Sequence, residues 1–314
     1  MNLNLVSLLV CTLALITITS SFILIWWLQP KLASEEELAD YRIHPDIPSQ
    51  FKVFQKTRIQ YNQIGTGPDL VFLHGIGAST FIWRKLLLLL AMNYRVTAID
   101  MPGFGRSQKI LEFDLNLDSM SDFVVQFLDD IGIEKFDLVG SSMGGAIALW
   151  IAKKYPQKCR RVLSIAAATH KSLIRYPTLG LKMLKPLHFL VNKKTMLVAI
   201  HNVIRQRDLI TDDLVNGYLL PFRDSGDAWR SFLRATVIVG DSRMPSELSI
   251  LNSYPEFRHK ILWGDADRVV PRWVQDELKK VLPQSEFEIL PKLGHHPFEE
   301  DPEKIAGIIQ KFFS

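Results

Sequence analysis

The pattern of apolar and polar positions changes character three times along the chain. From Leu3 to Leu28 it has no period: the 26 residues are mostly Leu, Ile, Val, Thr and Ser, and the first charged side chain is Lys31. From Phe51 short apolar runs alternate with stretches of helical spacing. Phe51–Phe54 and Thr57–Tyr61 alternate residue by residue, as half-exposed strands do, and can pair as an opening hairpin. Asp69–Leu73 and Tyr94–Asp100 are short continuous apolar runs, which predict strands buried on both faces. Phe136–Val139, Arg161–Ala167, Lys260–Gly264 and Phe287–Leu290 read as further strands. Helical spacing occupies Phe81–Met92, Leu117–Ile131, Ala146–Lys154, Pro271–Val281 and Pro302–Phe313. Strand and helix in strict alternation predict an α/β fold with a mostly parallel sheet and right-handed crossovers.

The rhythm breaks at His170 and resumes at Lys260. The stretch between, about 171–245, is rich in Leu, Met and Phe and reads as helical. An insertion between sheet strands predicts a cap over their carboxyl ends. The expected division is therefore an anchor over 1–30, a linker over 31–50 containing Pro45 and Pro48, a core in two parts over 51–170 and 246–314, and the helical cap over 171–245.

The apolar N-terminal stretch is long enough to cross a bilayer. As a helix it would span about 39 Å, more than the ~30 Å hydrocarbon layer. Trp26 and Trp27 close it where an interfacial aromatic pair belongs. A cleaved signal peptide has a basic start and a shorter apolar region, neither of which is present. A single-pass transmembrane helix is expected, with Lys31 and Arg42 favouring a cytoplasmic body. The 314 residues are 47% hydrophobic, enough for a large core, and the net charge of +4 gives no general case for nucleic acid. Cys11 and Cys159 are too few for a disulfide scaffold or a zinc site. No G-x-G-x-x-G follows a strand, so a nucleotide role is unsupported, and no cofactor or metal is expected.

The chemistry centres on Leu138–Gly145, where an apolar run ends in a small-residue turn and a helical pattern begins at once. Gly140, Ser142 and Gly144 fit G-x-S-x-G. A strand that turns sharply into a helix leaves no room for bulk two residues before or after the exposed serine. In parallel sheets ligands bind at the carboxyl ends of strands. Ser142, the Asp265–Asp267 pair and the His295–His296 pair all follow strands, in the order Ser, Asp, His. Such a set lets a histidine take the serine proton while the aspartate holds the imidazole. Backbone N–H groups of Met143 and Ile76 could stabilise the developing oxyanion. Two rival roles are structural: His74 as a loop organiser, and Gly103 and Gly105 as turn formers.

Five segments now carry a resemblance. His74-Gly75, Asp100–Ser107, Gly140–Gly145, Trp263–Pro271 and Gly294–Pro302 occur in one order. Together they resemble the α/β-hydrolase fold family, in particular its capped esterase and lipase members, monoacylglycerol-lipase-like, and its C–C bond hydrolases. The resemblance covers about 51–314 except the cap. It implies Ser142 as nucleophile, Asp267 rather than Asp265 as the acid, His295 rather than His296 as the base, and Ile76 and Met143 as the oxyanion pair.

The expected function is that of a membrane-anchored serine hydrolase cleaving a carboxylic ester with an acyl chain through an acyl-enzyme on Ser142. A C–C bond hydrolase is the alternative within the fold, a cofactor-free perhydrolase comes third, and a non-catalytic binding protein is the alternative from another class. A serine in place of a carboxylate nucleophile disfavours epoxide hydrolysis and dehalogenation. The partners expected are a small acyl-ester substrate and the membrane. The eight basic residues Lys171, Arg175, Lys182, Lys185, Lys193, Lys194, Arg205 and Arg207 face a single acid, Asp208. They form either a solvated helix face or a surface that settles on anionic lipid.

Overall fold

The computed structural model describes residues 42–109, 113–173, 188, 190–222 and 226–314. The alternating segments form the hairpin: Gln50–Phe54 (β1) lies antiparallel to Thr57–Ile64 (β2), with Phe54 opposite Thr57. Gln55 and Lys56 make its two-residue turn with φ of 47° and 62°. Positive φ at both positions matches the twist of the flanking strands. The apolar runs supply Asp69–Leu73 (β3), Arg95–Ile99 (β4), Phe136–Ser141 (β5), Cys159–Ile165 (β6), Arg258–Gly264 (β7) and Glu286–Leu290 (β8). They join the hairpin in one eight-stranded sheet of order β1-β2-β4-β3-β5-β6-β7-β8. The pairs from β4 to β8 are parallel; β2 is antiparallel to both its neighbours.

The strands alternate their side chains between two apolar layers. Val71, Leu73, Leu138 and Ile261 face Leu117–Asp130 (α2), Met143–Lys154 (α3) and Arg272–Val281 (α7). Leu70, Phe72, Val139 and Leu262 face Arg84–Leu90 (α1) and Pro302–Phe313 (α9). Burial on both sides is why these strands read as unbroken apolar runs rather than alternating ones. The run Leu86–Leu90 buries Leu86, Leu87 and Leu90, as a helix face does.

Two boundaries differ from the sequence pattern for visible reasons. The Phe81–Met92 helix opens as a 3-10 turn over Thr80–Trp83, and its regular part is α1. Asp100 Oδ1 accepts the Thr80 N–H at 2.6 Å, which pins the start of that turn to the end of β4. The helix after the serine begins at Met143, three residues before its first alanine, because glycines carry no apolar signal.

Between β6 and β7 the described chain is helical: Lys193–Val203 (α4), Asp212–Leu219 (α5), Gly226–Val239 (α6) and a 3-10 stretch over Ser246–Ser253. Asn192 opens α4 with a capping box to Thr195. Helix α5 sits directly on Phe81, whose ring lies 2.1 Å from where a Cβ at Gly217 would be. Lys171, Lys193, Lys194, Arg205 and Arg207 are exposed, and Lys193 pairs with Asp212 at 2.8 Å. Arg175, Lys182, Lys185 and the Leu3–Leu28 stretch lie outside the described residues. Among the described residues no helix is long and apolar enough to cross a membrane.

One buried histidine makes the fold pH-sensitive. His259 of β7 lies between two hydroxyls, Ser164 Oγ at 2.9 Å and Ser285 Oγ at 3.0 Å. Burial pushes its pKa down to about 3. The unfolded chain therefore binds a proton below about pH 6.5 that the folded chain refuses. Stability should fall as pH drops from 6.5 toward 3, with His259 contributing about 1.4 kcal/mol per pH unit. Urea unfolding at pH 7 and pH 5 measures this, and His259→Gln should reduce the slope, leaving the share of His74 and His296, whose pKa values burial also lowers. An equally steep dependence in the variant would remove His259 as its source.

Candidate active site

The turn at the end of β5 is held in a conformation that few side chains adopt. Ser142 has φ 53° and ψ −117°. Such backbone strain costs of order 1–3 kcal/mol and persists only where the surroundings over-determine it. Here they do. The Ser142 N–H donates to Ile165 O at 2.9 Å, and its carbonyl accepts from Ala146 and Ala168. A Cβ at Gly140 would stand 2.4 Å from Gly144 O, and one at Gly144 would stand 2.1 Å from Leu73 O. The strand, the helix and β3 therefore approach more closely than any other residue type permits. The result is a side chain presented at the carboxyl end of the sheet and the start of α3.

Asp267 and His295 arrive from the loops after β7 and β8. Asp267 Oδ2 lies 2.7 Å from His295 Nδ1, with side chains only 2% and 3% exposed. The other carboxylate oxygen accepts the N–H groups of Val269 at 2.7 Å and Val270 at 3.0 Å, so the carboxylate cannot rotate away. With Nδ1–H donated to Asp267, His295 keeps Nε2 free to accept a proton. Asp265 serves the loops instead. Its Oδ1 accepts the Lys292 N–H at 2.7 Å and ties the two together. His296 turns away from Asp267 to share a hydrogen bond with Tyr218 Oη at 2.7 Å. Burial and the neighbouring His295 hold its pKa well below the usual histidine range. No hydrogen bond joins Ser142 Oγ to His295 among the described residues. Such contacts commonly close only when substrate binds.

The loop after β3 forms the opposite wall. A Cβ at Gly75 would lie 3.2 Å from Ser142 Cβ, which places Ile76 next to the serine. Neither Ile76 N–H nor Met143 N–H donates to a backbone acceptor among the described residues. His74 donates from Nδ1 to Gly75 O at 2.8 Å and accepts the Met101 N–H at Nε2, 3.1 Å. Burial lowers its pKa, in keeping with a neutral ring that organises the loop. Asp100 braces the next loop by accepting from Thr80 and Arg106 N–H. Gly105 lies so close that its Cβ would stand 2.0 Å from Asp100 Cγ. Phe222 and Phe232 of the inserted helical region lie against Gly77. Among the described residues no cluster of His, Cys, Asp and Glu could hold a metal ion.

Comparison with known proteins gives the family. Residues 68–188 match the sequence model of the alpha/beta hydrolase fold. The chain is 30% identical over 250 residues to the uncharacterized hydrolase YugF of Bacillus subtilis (strain 168), covering 77% of this chain and 89% of that one. The chain belongs to the α/β-hydrolase fold family. It is also 28% identical over 274 residues to a 2-hydroxy-6-oxononadienedioate/2-hydroxy-6-oxononatrienedioate hydrolase of Paraburkholderia phymatum, covering 81% and 90% of the two chains. The crystal structure of a meta-cleavage product hydrolase from Pseudomonas fluorescens IP01 superposes with a TM-score of 0.71 at 20% identity, covering 86% of this chain and 98% of that one.

Three polar residues of this α/β hydrolase that shape the site had no distinguishing signal in the sequence. Asp100 lay in a recognised segment but without a role. Glu300 lay in the recognised segment Gly294–Pro302, likewise without a role, and Tyr218 lay among ordinary helical residues; only the tertiary contacts reveal them. The elbow glycines give a direct check. Gly144→Ala should cost at least about 2 kcal/mol through backbone overlap with Leu73. Chemical unfolding measures it, and a variant as stable as the parent would mean that the turn is less tightly packed than described.

Proposed function

We propose that this α/β hydrolase is a serine hydrolase that cleaves a C–C bond beside a ketone in a conjugated dienone acid. The observation that carries the catalytic part is the buried 2.7 Å Asp267–His295 pair at the same carboxyl edge of the sheet as the strained Ser142. In this reading Ser142 Oγ attacks the carbonyl carbon as His295 Nε2 takes its proton. The N–H groups of Met143 and Ile76 stabilise the oxyanion, a term worth about 3 kcal/mol per donor. Before attack the dienol must shift to its keto tautomer, the O–H proton being exchanged for one on the carbon beside the ketone. The C–C bond then breaks, its electron pair passes through the conjugated chain to the former enol oxygen, and the departing dienolate takes up the proton held by His295. Water, deprotonated by His295, releases the acyl group from Ser142.

The elbow itself serves an ester equally well, so the bond class rests on the relatives. Several curated relatives at 27–29% identity are named as hydrolases of 2-hydroxy-6-oxo dienoates. Carboxylic ester cleavage is the second reading, favoured by the apolar sequence of the inserted region. The uncharged stretch Leu3–Leu28 supports a membrane tether for either reaction.

Two measurements test these readings. Purified protein should turn over a 2-hydroxy-6-oxo-6-aryl dienoate, seen as loss of the dienol chromophore, at least about a hundredfold faster than p-nitrophenyl esters of two to sixteen carbons. Ester turnover without dienone turnover would reverse the order of the readings. In cells, the protein should stay in the membrane pellet after alkaline carbonate washing; release into the supernatant would dismiss the tether.

A further inference from the structure

The mount of His295 extends beyond Asp267 into the inserted helical region. His295 follows Gly294, and the short helix Pro297–Glu300 (α8) follows His296. The two acids that end α8 point in opposite directions. Glu299 is bound bidentately by Arg84 at 2.5 and 3.0 Å, with Lys85 at 3.2 Å, which fixes α8 to α1. Glu300 reaches the other way. Its Oε1 accepts the Gly294 N–H at 2.7 Å, and its Oε2 accepts the Gln206 N–H at 3.1 Å. The neighbouring Arg205 N–H also favours its charged form. Gly294 belongs to the histidine loop, whereas Arg205 and Gln206 belong to the connection between α4 and α5. One buried carboxylate thus bonds to both.

The same junction is closed from three other directions. The His296 N–H donates to Val203 O at 2.9 Å. A Cβ at Gly294 would stand 2.9 Å from Val203 O and 3.2 Å from Arg205 N, so the two backbones are in contact and only glycine fits between them. Tyr218 of α5 bonds His296, whose ring stacks on His295 with centroids 5.2 Å apart. Among the described residues no side-chain cation forms an ion pair with Glu300, although it is only 8% exposed. Burial raises its pKa above the usual carboxylate range, and backbone N–H donors pull it back. An apolar residue would fill this place at lower cost if packing were all that it served.

We propose that Glu300 is a positioning residue that ties the Val203–Gln206 segment of the inserted region to the Gly294–His295 turn. His295 is then held in register only while that segment is seated. The proposal rests on the reading of His295 as the general base. Unseating the segment removes the Gln206 bond to Glu300 and the Val203 bond to His296 together. A displacement of about 1 Å at a catalytic group can cost roughly a hundredfold in rate.

The test is inactivation of the full-length, detergent-solubilised protein by a fluorophosphonate, resolved into kinact and KI, with hydrogen exchange followed over residues 290–298. Glu300→Gln keeps one acceptor and sets an NH2 against the N–H groups at the other. It should lower kinact about tenfold or more, leave KI within about twofold, and speed exchange at Gly294 and His296 but not in α3. Tyr218→Phe should do the same more weakly, by about threefold in kinact, and decides the matter if Glu300→Gln does not fold. Parental kinact and exchange in the folded variant would overturn the proposal. If the parent itself is not inactivated, the catalytic reading fails, and exchange alone judges the clamp. Faster exchange at Gly294 in Glu300→Gln then supports it, and unchanged exchange overturns it.

Discussion

Everything at the site depends on one constraint: Ser142 is held at positive φ between a strand and a helix that nearly touch. Three backbone hydrogen bonds and two glycines enforce it. Without that approach α3 could not begin immediately after the serine. The rest of the sheet can be read as support for this turn. Strand β3 supplies the carbonyl against which Gly144 packs, and β6 supplies the carbonyl that accepts the Ser142 N–H. Strands β7 and β8 end where Asp267 and His295 can face it.

The histidine side of the site is built differently. Ser142 is fixed by the core, whereas His295 is fixed by loops: Asp267 on one side, Asp265 bridging below, and the inserted helices behind it. Histidines 74, 259 and 296 are all kept neutral by burial, each with a hydrogen-bond partner. Of the four buried histidines among the described residues, His295 is the one bonded to a carboxylate. The neighbouring acids of α8 divide the same way, Glu299 to the core and Glu300 to the insertion.

Much of this was legible in the order of residues. Short apolar runs announced the inner strands β3 to β7 because burial on both faces leaves few polar positions, whereas the edge strand β8 alternates Glu286, Phe287, Glu288 and Ile289. The G-x-S-x-G spacing announced the elbow because only glycine tolerates the approach. Asp265 and Asp267 could not be separated by periodicity; the difference is which loop backbone each one faces. The same holds for His295 and His296. Glu300 was invisible because a buried acid and a solvated one look alike in a helix's sequence until the partner backbone, some 94 residues away, is in place. Phe81 anticipated a helix but entered a 3-10 turn, since Asp100 takes the Thr80 N–H.

On the function proposed above, Ser142 is the activated nucleophile of this α/β hydrolase. Peptide mass mapping after fluorophosphonate treatment shows whether it is. One stoichiometric adduct is expected, on the peptide that carries Ser142, absent from Ser142→Ala and strongly reduced in His295→Ala. An adduct on another serine, or equal labelling of parent and Ser142→Ala, would contradict it.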